Sequence, residues 1–370
     1  MSPFGVVDSS RGIDSGSPTG GSISMDIARA GVEPVVVKFY RQYMQQINEL
    51  SYPPGSLLLA PDIQTCLYKY FFDASQNKFL PPPRYQTKVL RQIIREIEKT
   101  IKDAEEEQVS DQLYEHLGYL SAIPLQDSSE EAQELRVHSY YPPLPFDQPG
   151  VQPILIKEAH NLLSKGNNVG LRTWEGSLHL AWYLTAQRPE LVKGKNVLEL
   201  GAGTGLLSLL CAGHLHASSV LATDGLAHVC ECLEANIELN VQNSTLQNGR
   251  PPQVLQLDWT DREAIDELVQ NVKSSDASYD LVIGSDITYH PDILRPLAQI
   301  LSTLKDCSPE AVILISAAIR SDTFWQFTTI CRDEFGFGVV EEDVHIPDGL
   351  QYSGFFHSVI TPIKVVSLQR

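Results

Sequence analysis

The sequence predicts an α/β protein: a seven-stranded, mainly parallel sheet with an antiparallel hairpin at one edge, preceded by a small helical domain. Two observations carry this expectation. Short Val/Ile/Leu runs alternate with helical stretches through the second half of the chain, which is how a parallel sheet covered on both faces reads. Residues 32–120 instead repeat apolar side chains at three- and four-residue spacing.

The first residues, 1–28, are Gly, Ser, Asp and Pro with little to bury, so a disordered tail is expected there. In the helical domain, 29–148, "TKVLRQIIREIEKTIKDAEEE" puts Leu90, Ile93, Ile94, Ile97 and Ile101 on one stripe. "PDIQTCLYKYFFD" opens on a proline suited to a first turn and places Ile63, Leu67 and Phe71 four residues apart. "DQLYEHLGYL" repeats the habit, and "YPPG" and "PPPR" separate the pieces. The acidic run Glu105 to Glu107 reads as a solvated helix face. "SYYPPLPFDQPG" is a proline-rich joint to the second domain, 149–370. There the strand candidates are "KNVLEL", "SVLATD", "QVLQLDW", "YDLVIGSD" and "AVILISAAI", followed by "VVEEDVHI" and "FHSVITPIKVV" with only a loop between them. That last pair predicts the edge hairpin.

A net charge of -18 makes a wide phosphate-binding face improbable, so no nucleic-acid partner is expected. The six cysteines lack paired CxxC spacing and read as reduced, mostly buried thiols, with no metal site. Cys230 and Cys232 point to different faces of a helix. No run reaches the ~18 apolar residues of a membrane span, and the expectation is a soluble monomer, cytoplasmic with the nucleus as the alternative.

The turn "LELGAGTG" is where the chemistry begins. Gly201, Gly203 and Gly205 remove side chains where a ligand approaches the backbone and where the next helix packs closely. A dinucleotide fingerprint would need glycine at 206, and this chain has Leu206. The spacing GxGxG preceded by Glu199 favours an adenosyl ligand over a pyrophosphate, because an acid repels phosphate but binds the cationic amino group of a methionine moiety. The next strand ends in Asp224, placed to accept from both ribose hydroxyls or to cap the following helix. Asp258 and Trp259 end the third strand, where an acid and an indole could bracket adenine; ordinary core is the other reading of Trp259. "GSDITYHP" presents Ser285, Asp286 and Tyr289 at the fourth, with a capping role for Tyr289 left open. Trp174 starts a helix after "GLRT", which favours the cofactor pocket, whereas Trp182 shares a stripe with Leu178 and Ala181 and reads as core. Arg172 either closes the same entrance or pairs with an acid.

"LELGAGTG", "LDW", "SDITY" and "GLRTWEGSLHLAWYL" resemble the seven-β-strand protein lysine methyltransferases, whose fourth strand ends in Asp-x-x-Tyr. Within them, "GLRTWEGSLHLA", "QLDW", "IRSDTFWQFTT" and a helical N-terminal extension look most like the eukaryotic elongation factor 2 lysine methyltransferases. The resemblance covers residues 150–365 well and implies a Rossmann-like methyltransferase sheet, S-adenosylmethionine as cofactor and a protein lysine as acceptor, in elongation factor 2. It carries Trp174, Gly201, Ala202, Gly203, Asp224, Trp259 and Ser285 over as cofactor contacts, and Asp286 and Tyr289 as the acceptor-side motif. Ser285 stands where many relatives place alanine. The rival readings are a methyltransferase for another protein or a small molecule, and a non-catalytic module that keeps the fold. The helical domain, which carries no visible chemistry, is expected to capture the substrate.

Overall fold

The computed structural model describes residues 33–124, 134–144, 151–159, 169–246, 249–274 and 278–370; the expected tail at 1–28 lies outside them. The N-terminal unit contains α1 (Pro34–Met44), α2 (Gly55–Leu58), α3 (Pro61–Leu67), α4 (Pro83–Thr100) and α5 (Asp111–Ala122). Three of these start on proline, whose fixed φ suits a first turn and whose missing N–H would be unpaired there in any case. Helix α4 buries Val89, Leu90, Ile93, Ile94 and Ile97, while Ile101 falls just past its end. Helix α3 continues into a π-helical turn over Tyr68–Phe72, and Phe71 packs there against Phe39 and Tyr43 at ring-centroid distances of 5.2 and 5.0 Å.

A second sheet, which the sequence reading did not anticipate, follows. Strand β1 (Leu135–Tyr140) pairs antiparallel with β2 (Ile154–Ala159), from Leu135 opposite Ala159 to Tyr140 opposite Ile154. The hairpin therefore spans the boundary expected at 148/149, with one strand on each side.

The C-terminal unit runs α6 (Glu175–Trp182), β3 (Asn196–Leu200), α7 (Leu206–Gly213), β4 (Ser219–Asp224), α8 (Ala227–Gln242), β5 (Gln253–Gln256), α9 (Arg262–Ser274), β6 (Leu281–Ser285), α10 (Pro291–Cys307), β7 (Val312–Ala318), α11 (Thr323–Asp333), β8 (Gly338–Glu341) and β9 (Ile363–Gln369). The sheet order is β5-β4-β3-β6-β7-β9-β8. The first five are parallel, and β9 lies antiparallel between β7 and β8. This is the expected seven-stranded sheet with its antiparallel edge. The order reverses at β3, so the crevice beyond the carboxyl ends of β3 and β6 is where such a sheet receives a ligand.

Alternation along β3 divides the core. Val197 joins Leu206, Leu207 and Leu210 of α7 on one face, and Leu198 and Leu200 join Val282, Ile313 and Ile315 on the other. The small hairpin is tied to this unit by α8, because Asn240 exchanges hydrogen bonds with the backbone of Leu155 (2.9 and 2.7 Å) and Asn236 accepts from Lys157 N (2.8 Å). On the other side Gln46, just past α1, donates to Val137 O of β1 at 3.0 Å.

Helix α1 also grips the loop before β9. Lys38 Nζ donates to Gly349 O (2.6 Å), Arg41 Nη1 to Ser353 O (3.0 Å), and Gln45 exchanges bonds with Phe356 (2.5 and 3.0 Å). Arg41 is 1% exposed and its guanidinium also lies over the Tyr141 ring, 5.3 Å from the centroid. The two units are joined by a polar seam as well as by the chain.

Candidate active site

The turn after β3 is left-handed at Gly201, Gly203 and Gly205, with φ of 64°, 53° and 86°. A Cβ on Gly201 would lie 2.5 Å from Ile287 Cγ2, and one on Gly205 would lie 2.2 Å from Leu233 Cδ1, so both conformation and space demand glycine. Ala202 N donates to Thr223 O at 2.8 Å, which holds the turn against the end of β4.

Asp224 sits beside that turn. Its Oδ2 accepts from Gly203 N (3.1 Å) and its Oδ1 from Leu226 N (3.2 Å), at the entry to α8. The carboxylate ties the glycine turn to the residue before α8, where Leu226 rather than Asp224 holds the cap position, and it still has lone pairs for a ligand. Burial raises its pKa, against the pull of the backbone amides.

Glu199 is placed differently from the sequence expectation. It is 1% exposed and its Oε2 accepts from Ser208 Oγ of α7 at 2.5 Å. The reason is strand alternation: Glu199 shares a face with Val197, and α7 covers that face. Burial pushes its pKa up to about 8, with the Ser208 bonds opposing the rise. A carboxyl neutral at pH 7 is a poor ion-pair partner for an ammonium group. The folded chain thus holds a proton on Glu199 that the unfolded chain releases near its ordinary carboxyl pKa. Stability from this group is complete below that ordinary pKa and is lost as pH rises to about 8, at about 1.4 kcal/mol per pH unit for one proton. The melting temperature of wild type should fall more between pH 6 and 8 than that of Glu199→Gln; equal slopes in a calorimetric pH series would refute this.

At the third strand's end Asp258 is exposed, and its Oδ1 accepts from Thr260 N (2.8 Å) and Oγ1 (2.7 Å). Trp259 packs partly into the core beside Gly201, yet its Nε1 is buried without a hydrogen-bond partner among the described residues. Such a donor is costly unless something accepts from it.

At the fourth strand's end, Ser285 Oγ meets Ser177 Oγ at 2.6 Å. Asp286 is left-handed with φ 52°, and its carboxylate joins two elements. Oδ2 accepts from Gly176 N (2.7 Å) in the first turn of α6, and Oδ1 accepts from Ala318 N (2.8 Å) at the end of β7. Asp286 is thus the N-terminal cap of α6, supplied from another strand; Trp174, at the cap position itself, makes no side-chain cap bond. Burial raises the Asp286 pKa, and the two amides and Arg320, 4.0 Å away, oppose this. Tyr289 is 59% exposed, and its pKa is raised by partial burial and by the charge of Asp224.

Trp174 is not an open ring face. The guanidinium groups of Arg172 and Arg320 each lie 5.1 Å from its centroid, and its Nε1 donates to Val169 O at 2.9 Å. Glu175 pairs with both arginines, which settles Arg172 as the partner of an acid. Trp182 is buried, as expected, with Nε1 bonded to His345 O. The sequence reading missed Arg320 and Gly176, which only the fold brings to Asp286.

Comparison with known proteins gives the class to which this chain belongs. The lysine methyltransferase family profile matches residues 157–333. Protein-lysine N-methyltransferase EFM3 of Chaetomium thermophilum is 35% identical over 344 residues, 92% of this chain and 99% of that protein. The Saccharomyces cerevisiae EFM3 is 33% identical across 48% of this chain and 53% of its own length. Mouse protein N-lysine methyltransferase METTL21A is 30% identical across 59% and 92%. The chain belongs to the lysine methyltransferase family. It is a protein-lysine N-methyltransferase, and its methyl donor is S-adenosylmethionine. No helix among the described residues is long and apolar enough to cross a membrane.

Proposed function

We propose that the chain methylates a lysine of translation elongation factor 2, with the crevice beyond β3 and β6 as its active site. The observation that carries the site is the meeting of four strand ends around the glycine turn: Asp224 bonded to Gly203, Trp259 beside Gly201, and Asp286 and Tyr289 on the β6 side. The target rests on the motifs "GLRTWEGSLHLA" and "IRSDTFWQFTT". A Xenopus tropicalis relative, 34% identical across 42% of this chain, is named as an EEF1A lysine methyltransferase, which supports an elongation factor as the class of substrate.

The residues fit S-adenosylmethionine. Asp224 has acceptor capacity for ribose hydroxyls, the unpartnered Trp259 Nε1 and the exposed Asp258 suit the polar edge of adenine, and the Gly201–Ala202–Gly203 backbone and Ser285 line the turn. When bound, the cofactor supplies a methyl group already activated on a sulfonium, so the protein's task is placement. An acceptor lysine must arrive neutral, although its pKa in water is about 10.4. In this reading the Tyr289 hydroxyl receives the amine and its ring faces the methylated cation. Asp286 holds α6 and β7 in register on either side of that path. The Glu199 carboxyl accepts from Ser208 and so ties β3 to α7 beneath the turn.

The purified protein, incubated with labelled cofactor and extract from cells lacking this enzyme, should mark one protein band that mass spectrometry identifies as elongation factor 2. Label in another protein would reject this target, and label only in small molecules would reject the whole reading.

A further inference from the structure

Where the helical unit meets the catalytic unit there is a cavity of about 640 Å³, within the size range of ligand-binding clefts. Gln42 and Glu49 line it on the helical side, Arg172 and Glu175 on the catalytic side, and Val359 and Ile360 at its lip. We propose that it is the docking cleft for the stretch of the protein substrate beside its target lysine, a stretch with a bulky apolar residue and a cationic one. The inference rests on the protein-lysine methyltransferase reading and adds where the substrate is gripped.

Continuity with the site is the first argument. Glu175, in the cavity wall, pairs with Arg320, and Arg320 lies 4.0 Å from Asp286, so a chain of ion pairs links the cleft wall to the acceptor-side motif. A chain laid in it would deliver a neighbouring lysine to the crevice.

The second argument is the lip. Val359 and Ile360 are 60% and 91% exposed, consecutive and β-branched, in a segment fixed on both sides. Gln45 holds Phe356, and Ile319 N donates to Pro362 O at 2.8 Å. Exposed apolar side chains on a fixed backbone beside a cleft form a surface that a partner's apolar residue covers.

Charge is the third. Glu49 is exposed and forms no ion pair among the described residues, and the chain carries -18 overall, which suits a lysine-bearing, cationic segment. The cleft also accounts for a helical unit without chemistry of its own: one side of the wall is its contribution.

The test uses the full chain, because removing residues before 150 would take β1 from its partner. Extract from cells lacking the enzyme is titrated, and label is counted in whichever protein band wild type marks. The double variant Val359→Asp with Ile360→Asp should raise the half-saturating extract concentration about tenfold or more, and Glu49→Lys about threefold or more. Maximal rate and cofactor affinity should stay within about twofold of wild type. Leu350→Asp is the control: it is 49% exposed, precedes the same segment and lies outside the cavity, and it should change nothing. Unchanged half-saturation in the cleft variants, or an equal loss in the control, overturns the proposal. Identification of the band as something other than elongation factor 2 rejects only the target, whereas absence of any labelled protein rejects the cleft together with the reading it rests on.

Discussion

Asp286→Ala should lower the rate of methyl transfer about a hundredfold or more while cofactor affinity stays within about threefold. The carboxylate bridges Gly176 N and Ala318 N, and a hydrogen bond to a charged group contributes about 1.5 to 3 kcal/mol. Alanine removes both and leaves the first turn of α6 without its cap. It must also adopt φ 52°, a conformation that Asp and Asn tolerate better than Ala. Asp286→Asn keeps the backbone and one acceptor, so its loss should be smaller, about tenfold. Tyr289→Phe separates placement from folding. Its ring is 59% exposed, so thermal stability should hold while turnover falls if the hydroxyl receives the amine. Single-turnover rates with calorimetry on the same samples decide the matter. Wild-type rates in both Asp286→Ala and Tyr289→Phe would remove the acceptor path from the end of β6.

Asp224→Ala should weaken S-adenosylmethionine binding by about tenfold to a hundredfold, measured as Kd by calorimetry. The carboxylate is bonded to Gly203 N and Leu226 N, so its removal loses the proposed ribose acceptor and loosens the glycine turn together. Asp224→Asn retains an acceptor for one of these amides and should fall between alanine and wild type. Unchanged affinity in the alanine variant would reduce Asp224 to the closure of the α8 entry.

The parallel sheet was readable because strands buried on both faces leave continuous Val/Ile/Leu runs, and because β8 and β9 have no helical pattern between them. Residues at strand ends were readable for the same reason: Asp224, Asp258 and Asp286 each follow an apolar run. What sequence spacing did not convey was the direction of side chains near those ends. Glu199 is one position inside β3 and points under α7, and the faces of Trp174 are taken by Arg172 and by Arg320, which lies far along the chain. The hairpin of β1 and β2 was hidden because its strands are separated by a proline-rich stretch and one of them adjoins helices. Its signal was the alternation in "LRVHSY" and the run "ILI" after the prolines.

That hairpin is an isolated two-stranded ribbon, a structure of marginal stability in water when left alone. Both of its outer borders carry backbone groups that could recruit a stranger's strand. Here one border is closed by Asn236 and Asn240 and the other by Gln46, carboxamides projecting from helical segments on opposite flanks. Since a carboxamide offers the same donor and acceptor as a peptide unit, these side chains complete the ladder without adding a strand. The ribbon behaves as a dovetail: it joins the two units along its length, and side-chain amides occupy part of each border on which another strand could pair.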